Sequence, residues 1–354
     1  MLGNPFMRNT GIYLVLLIVF ASGFAHAKNL DDKHMPAAVQ KPVLPIVYHP
    51  NYNIRFLGLE NFHPFDTRKY EKIYDYLEGA GLFDRFDPVQ ASMPSEADLL
   101  RVHPPAHLAY LTTASAAAKY TEMSTLAYLP NDLIDNVLTS RQRLATGGTV
   151  IAAQLALKHG WSINLGGGYH HAGQTTAEGF CAYADVPIAI EHVRANSLGP
   201  KKFLIIDFDA HQGNGHESIY GDDPNVRILD AFNAQVYPYA QHLYGAIDWS
   251  VKLGMGTPTE VYLRTIKNAL HSATTQYRPD LIFYYAGSDI LSGDPLGGLD
   301  VSPEGMAARD LAVFLAAKEL EIPIVMTLSG GYQKSNADHI GKSIIGILTA
   351  FDLL

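Results

Sequence analysis

Cysteine is almost absent from this sequence, since Cys181 is the only one among 354 residues. A single cysteine excludes a disulfide framework, a cysteine-rich zinc module and an iron–sulfur cluster. Positive charge is also scarce: 26 Lys and Arg stand against 35 Asp and Glu, and no run of Lys or Arg occurs. Direct binding of nucleic acid needs a basic face, so that class of function is excluded as well. With 47% hydrophobic and only 17% charged residues, the composition also excludes a disordered chain.

Long hydrophobic runs are missing too, apart from one near the N-terminus at residues 11–22. That run is shorter than the ~20 residues that a membrane-spanning helix needs. Arg8 precedes it and Ala25-His26-Ala27 follows it, which is the pattern of a secretory signal peptide with its cleavage site. We therefore predict a signal peptide at 1–27, a polar leader at 28–41, and a secreted or periplasmic protein. An uncleaved membrane anchor is the alternative.

Short apolar runs alternate with helical patterns from Pro42 onward, as a parallel sheet with crossover helices requires. The runs are nearly continuous in hydrophobicity, which is typical of strands buried on both faces. We predict strands at 162–165, 203–207, 281–285 and 324–328, and helices at 148–159, 259–272 and 303–321. With no internal repeat and no long linker, the sequence predicts one α/β domain at 42–354, a central parallel sheet with helices on both faces.

Polar, glycine-rich segments follow each predicted strand, and in parallel sheets ligands bind at the carboxyl ends of the strands. Asp209 and His211 are one residue apart, so on extended backbone their side chains point to the same side. Asp289 follows another predicted strand and supplies a third ligand for a divalent metal. Two carboxylates and one imidazole leave a coordination position open, as a catalytic zinc site requires. The alternative for Asp209 and His211 alone is a loop with capping carboxylates.

Two adjacent histidines, His170 and His171, follow three glycines after the first predicted strand. Asp207 and Asn214 lie near the next strand end and are candidate partners for the two rings. Metal-assisted hydrolysis needs a base that takes a proton from water and an acid that protonates the leaving group. Two neighbouring imidazoles with different partners suit that division of work.

These motifs together resemble the zinc-dependent histone deacetylase family, and most closely its class IV branch. The resemblance runs through nearly all of the predicted domain, and the order and spacing of its segments are specific. The segments are INLGGGYHH (163–171), GFCAYAD (179–185), IIDFDAHQGNGHE (205–217), AGSDILSGDPLGGL (286–299) and SGGYQK (329–334).

The resemblance implies an arginase–deacetylase fold, one zinc ion, and hydrolysis of Nε-acyl-lysine in proteins such as histones. It implies that Asp209, His211 and Asp289 bind the zinc, and that a structural potassium ion lies near Asp207. The catalytic residues it implies are the dyad His170 and His171, their partners Asp207 and Asn214, and the phenol of Tyr332. The residues it places along the acyl-lysine channel are Gly168, Gly179, Phe180, Tyr237, Leu296 and Gly331.

Several alternatives remain open at this point. An arginase-like ureohydrolase needs two metals, and Gln212-Gly213-Asn214 leaves a dinuclear site short of carboxylates. A non-catalytic acyl-lysine-binding module is expected to lose a ligand, a dyad histidine or Tyr332, and none is lost. Within the deacylase class, the substrate is acetyl-lysine, a long-chain acyl-lysine or a small acylamide such as an acetylpolyamine. Small residues at Gly297 and Gly298 are compatible with extra room for an acyl tail. If the protein is exported, its target proteins are those of a host.

Overall fold

The structure is a computed structural model that describes residues 41–354, except 56, 57, 59, 61 and 62. The predicted signal peptide at 1–27 and nearly all of the leader lie outside the described residues, so both stay predictions. Within the described part, no helix is both long and apolar enough to cross a membrane.

The centre of the fold is one sheet in which all eight strands run parallel, in the order β2-β1-β3-β8-β7-β4-β5-β6. The strands are β1 (Val43–Tyr48), β2 (Asp87–Gln90), β3 (Trp161–Asn164), β4 (Phe203–Asp207), β5 (Val226–Asn233), β6 (Trp249–Leu253), β7 (Leu281–Tyr285) and β8 (Ile324–Thr327).

The helices that the described residues form pack in two layers. In the first group, α8 contacts both α7 and α9. In the second group, α12 contacts α1 and α11, and α11 also contacts α10. The helices are α1 (Lys69–Gly79), α2 (Leu82–Arg85), α3 (Glu96–Leu100), α4 (Pro105–Leu111), α5 (Ala114–Tyr120), α6 (Asn131–Ile134), α7 (Ser140–His159), α8 (Asp185–Ala195), α9 (Asn214–Tyr220), α10 (Thr259–Gln276), α11 (Pro303–Glu319) and α12 (Asn336–Ala350).

The predicted α/β class and the parallel sheet are confirmed. All four predicted strands are present, within a residue of their expected bounds, and β3, β4, β7 and β8 are fully buried as their unbroken hydrophobicity indicates. The three predicted helices correspond to α7, α10 and α11, although α7 begins eight residues earlier than expected. Helix α11 begins at Pro303, and Ser302 Oγ accepts a hydrogen bond from Gly305 N–H at 3.1 Å, as a helix N-cap does.

Candidate active site

Four loops meet at the carboxyl edge of the sheet, because β3, β8, β7 and β4 are consecutive neighbours there. Asp207 pairs with Tyr285 at the ends of β4 and β7, and Asn164 pairs with Thr327 at the ends of β3 and β8. The strand ends are therefore level, and every residue that the chain places just beyond them enters one small volume.

Asp209, His211 and Asp289 form a compact, buried cluster in this volume. Their candidate ligand atoms all lie within 4.8 Å of one another. His211 Nδ1 is 3.0 Å from Asp209 Oδ1 and 3.1 Å from Asp289 Oδ2. Backbone amides fix the carboxylates, since Gly330 N–H donates to Asp209 and Ala210 N–H donates to Asp289. One imidazole and two carboxylates at these distances fit a single zinc ion with an open coordination position.

The electrostatics of this cluster favour a cation. Burial and the neighbouring Asp209 carboxylate raise the pKa of Asp289 to about 7. Two carboxylates that share a site out of water cannot both ionise easily unless a positive charge lies between them. The donor set therefore has both the chemistry and the excess negative charge that a divalent ion requires.

The two dyad histidines lie side by side, with ring centroids 4.0 Å apart, but they have different partners. His170 Nδ1 is 2.8 Å from Asp207 Oδ2, and His171 Nδ1 is 2.6 Å from Asn214 Oδ1. Burial opposes the charged form of His170, but Asp207 and Asp209 outweigh it and raise the pKa of His170 to about 9. Burial, then the charge of His170, lowers the pKa of His171 well below its usual range. At neutral pH the pair therefore holds one charged and one neutral ring.

Tyr332 enters the same volume from the loop after β8, with its ring perpendicular to His211 at a centroid distance of 6.0 Å. Asp294 holds this loop, because its Oδ2 accepts a hydrogen bond from Tyr332 N–H at 2.8 Å. The buried Lys69 holds it from the other side, since Nζ donates to the carbonyls of Ser329 and Gly330 at 2.7 and 3.0 Å. The phenol is thus presented on a loop fixed at both ends.

Two aromatic residues predicted for the channel, Phe180 and Tyr237, contact Tyr332 and the dyad. The ring of Phe180 lies 5.9 Å from that of Tyr332, and the ring of Tyr237 lies perpendicular to that of His171 at 5.0 Å. Leu296 is 36% exposed, and its N–H donates to Asp294 Oδ1 at 3.0 Å. Three channel glycines make close approaches that a Cβ would block, Gly168 to Ser329, Gly179 to His171 and Gly331 to Ser288.

A cavity of about 420 Å³ adjoins the site on the side of His170, Phe180 and Tyr332. Its wall is overwhelmingly apolar, and among the side chains farther from the dyad are Phe65, Met123, Leu126, Leu129, Val137 and Leu138. The room that Gly297 suggested is not found on the opposite side, where a Cβ on that glycine would come within 2.0 Å of the Asp289 carbonyl.

A second buried group lies behind the dyad, where Asp207, His216 and Asp230 bring their candidate ligand atoms within 4.8 Å of one another. Neither ring nitrogen of His216 has a hydrogen-bond partner among the described residues. Glu217 adjoins Asp230, and burial raises the pKa of Glu217 to about 7. The potassium ion implied near Asp207 stays a prediction.

Two residues at the site escaped sequence reasoning: Lys69 and Glu178. Glu178 Oε1 accepts a hydrogen bond from Asn214 Nδ2 at 2.6 Å, so it contacts the partner of His171. Asp294, five residues after Asp289, already supported the metal site in the sequence, and the structure shows that it holds the Tyr332 loop. Lys69 and Glu178 act through contacts that no short spacing indicates.

Comparisons with known proteins identify the family of this chain. The profile of the histone deacetylase domain matches residues 63–348. The chain belongs to the histone deacetylase family. It is 42% identical over 299 residues to histone deacetylase 2 of Arabidopsis thaliana, an alignment that covers 84% of this chain and 77% of the relative. A probable deacetylase of Methanothermobacter thermautotrophicus is 29% identical, over 87% of this chain and 90% of its own.

Among solved structures, the crystal structure of the HDA15 HD domain matches with a TM-score of 0.70 over 88% of each chain. At 23% identity this likeness shows the fold alone. Histone deacetylases are amide hydrolases that act on acetylated lysine in proteins and are in general zinc-dependent. The protein is accordingly a hydrolase of acyl amides, whereas its assignment to the class IV branch stays a prediction.

Proposed function

We propose that this histone deacetylase hydrolyses Nε-acyl-lysine in proteins through one zinc ion, a histidine dyad and a tyrosine. The observation that carries the proposal is the meeting of three groups of side chains at one sheet edge. These are the buried ligand cluster around His211, the pair of His170 and His171 with unlike partners, and Tyr332 on its fixed loop. An arginase-like or non-catalytic role needs no such combination.

A zinc ion held by Asp209, His211 and Asp289 would lower the pKa of a water molecule and polarise the amide carbonyl. The neutral His171 accepts the proton of the attacking water at Nε2, since its Nδ1 faces Asn214. His170 remains charged beside Asp207 and stabilises the negative charge that develops.

Tyr332 O–H donates a hydrogen bond to the carbonyl oxygen as that oxygen becomes negative. His171 then gives its proton to the leaving lysine amine. The products are the protein with a free lysine side-chain amine, and the carboxylate of the acyl group. In this division of work the two rings are not interchangeable, because one must be neutral and the other charged.

For the acyl group we propose a long chain rather than acetyl. The specific support is the apolar cavity of about 420 Å³ that begins at His170, Phe180 and Tyr332. Burying each methylene contributes about 0.8 kcal/mol, which is about fourfold in binding when the chain fits. An acetyl group would leave most of this cavity unfilled. Acetyl-lysine and small acylamides are therefore the weaker candidates.

The experiment compares acetyl-, octanoyl- and myristoyl-lysine on one histone peptide, with acetylspermidine as the small acylamide. We expect kcat/KM to rise with chain length, and chelation of the metal to abolish turnover. Tyr332→Phe should lower kcat about 100-fold or more, because a donor to the developing oxyanion is removed. Tyr128→Phe is the matched control, since Tyr128 is 90% exposed.

Each result decides one part of the proposal. Turnover that survives chelation, or an active Tyr332→Phe variant, would contradict the mechanism. Activity on acetyl-lysine alone would overturn the long-chain assignment and leave the deacylase in place. Turnover of acetylspermidine but of no peptide would make the substrate a small acylamide.

We also propose that the protein is exported and meets lysine-rich partners such as histones outside the cell's cytoplasm. The support is the signal-peptide pattern ending at Ala25-His26-Ala27, together with a net charge of −9 that attracts basic proteins. We expect the protein recovered outside the cytoplasm to begin at Lys28, which N-terminal sequencing measures. An intact N-terminus on cytoplasmic protein would contradict this.

A further inference from the structure

Asn214 has two hydrogen-bond partners, one on each side of its amide. Asn214 Oδ1 is 2.6 Å from His171 Nδ1, and Asn214 Nδ2 donates to Glu178 Oε1 at 2.6 Å. His171, Asn214 and Glu178 therefore form a chain that leads from the dyad to a half-buried carboxylate. Nothing in the mechanism above uses Glu178.

The directions of these two hydrogen bonds follow from the chemistry of the groups. A carboxylate has acceptors only, so the side of the Asn214 amide that faces Glu178 must be its NH₂ group. The amide oxygen then faces His171, and an oxygen can only accept. The proton of a neutral His171 is thereby placed on Nδ1, and Nε2 is left with its lone pair.

Without Glu178, no hydrogen-bond partner fixes which end of the Asn214 amide faces His171. The oxygen and nitrogen of an amide are nearly the same size, so the group can rotate by half a turn at little steric cost. Its NH₂ group would then face His171 Nδ1 as a donor, and the ring proton would move to Nε2. A histidine protonated at Nε2 cannot take a proton from water there.

The surroundings hold Glu178 in place for this task. Its backbone closes a tight turn with Cys181, through hydrogen bonds of 3.1 Å and 2.9 Å in opposite directions. Burial, then the nearby Glu178 carboxylate, raises the pKa of the Tyr237 hydroxyl, and the ring of Tyr237 packs on His171. Glu178 thus lies near two neighbours of the dyad histidine in one anchored position.

We propose that Glu178 is a positioning residue that orients the Asn214 amide and so fixes the Nδ1–H tautomer of His171. This inference deepens the proposed function and rests on it for the role of His171 as base. The tautomer itself is a property of the resting protein and is measurable whether or not the enzyme turns over.

The first experiment measures the tautomer by long-range ¹H–¹⁵N correlation on ¹⁵N-histidine-labelled full-length protein, with and without zinc. The His171 signals are assigned by their loss in His171→Gln. We expect Nδ1–H in the wild type and in Glu178→Gln, because the glutamine oxygen still accepts from Asn214. We expect Glu178→Ala to shift the population toward Nε2–H. Glu319→Ala, an exposed position on α11, is the control.

The second experiment is a kinetic cycle with Asn214→Asp. A carboxylate at position 214 accepts from His171 in either orientation, so it needs no orienting partner. We expect Glu178→Ala to lower kcat about 10- to 100-fold with little change in KM in the wild type. In the Asn214→Asp background the same change should not lower kcat at all, because it also removes a repulsion between two carboxylates.

These outcomes separate the inference from a merely structural role and from the proposed function. An unchanged His171 tautomer in Glu178→Ala would overturn the inference, even if kcat fell. An equal loss of kcat in both backgrounds would overturn it as well. A wild type with the Nδ1–H tautomer and no deacylase activity would contradict the proposed function and leave the role of Glu178 standing.

Discussion

The side chain at position 214 decides how strongly the base of the dyad holds its proton. Burial, then the charge of His170, lowers the pKa of His171, and the neutral amide of Asn214 does not offset them. The Asp207 carboxylate does offset burial at His170, whose pKa is raised. The groups that face His171 in the described structure are His170, His211, Tyr237, Asn214 and, through the amide, Glu178. Since the nearest ring, that of His170, is basic, a negative charge introduced at the group that faces Nδ1 would change the balance of charge around His171 directly.

Asn214→Asp should therefore move the acidic limb of the pH–rate profile to higher pH. A carboxylate in contact with Nδ1 favours the imidazolium and raises the pKa of His171 by about 1–3 units. The base must be neutral, so a higher pKa keeps it inactive up to a higher pH. The measurement is kcat/KM against pH, which reports the free enzyme.

The cleaner variant combines Asn214→Asp with Glu178→Gln. This exchange keeps one acid and one amide at positions 178 and 214. It moves the negative charge from position 178 to position 214, which contacts His171 directly. Glu178→Gln alone is the matched control and should leave the acidic limb where it is, within a few tenths of a unit. An acidic limb that stays in place in the double variant would refute the argument.

At the residue scale, sequence reasoning identified the candidate metal ligands and catalytic residues. It missed two residues that position them, Glu178 and Lys69. Asp209 and His211 were predictable because their spacing on extended backbone puts both side chains on one side. Glu178 and Lys69 were not, because each acts on a residue far away in the chain. Lys69 lies 260 residues before the Ser329 carbonyl that it binds. Such contacts depend on the packing of the whole sheet, which no local pattern encodes.

At the scale of elements, one tight turn forms the part of the cavity wall that lies next to the dyad. Gly179 and Phe180 form its tip, with φ values of +53° and +65°, which corresponds to a primed turn with both central residues left-handed. Gln142 on α7 holds the turn by two hydrogen bonds. Its Nε2 donates to Phe180 O, and its Oε1 accepts from Ala182 N–H. The turn therefore holds Phe180 at the mouth of the cavity in spite of an unfavourable φ.

The strands show why some elements were predictable and others were not. Strand β4 is five residues of unbroken burial, and its apolar run gave its bounds directly. Strand β5 is less distinct in the sequence because Arg227 and Asp230 interrupt its apolar run. Asp230 has a role at the site, where it accepts a hydrogen bond from Gly213 N–H. Polar residues that a site needs thus interrupt the hydrophobic pattern of a strand.

At the scale of the whole molecule, the buried negative charge of the ligand cluster couples stability to the metal. Any ion that binds the folded chain and not the unfolded one stabilises the fold by mass action. In the metal-free protein the Asp289 carboxylate is a cost. The pKa of Asp289 is raised to about 7 by burial and by Asp209, so at pH 8 the folded protein must ionise a group that resists it.

Two changes in melting temperature follow at pH 8. Zinc at 100 times its dissociation constant adds about 2.7 kcal/mol, which raises the Tm of the wild type by about 5 °C. Asp289→Asn should abolish that increase and yet raise the Tm of the metal-free protein. The amide oxygen can still accept from Ala210 N–H, and the repulsion with Asp209 is gone.

Asp222→Asn, at an exposed position, is the control and should show the full zinc shift. Calorimetry of both variants with and without zinc measures this, and a metal-free Asp289→Asn that melts below the wild type would refute it. A higher metal-free Tm with no response to zinc would therefore mark Asp289 as a residue placed for metal binding at the expense of stability.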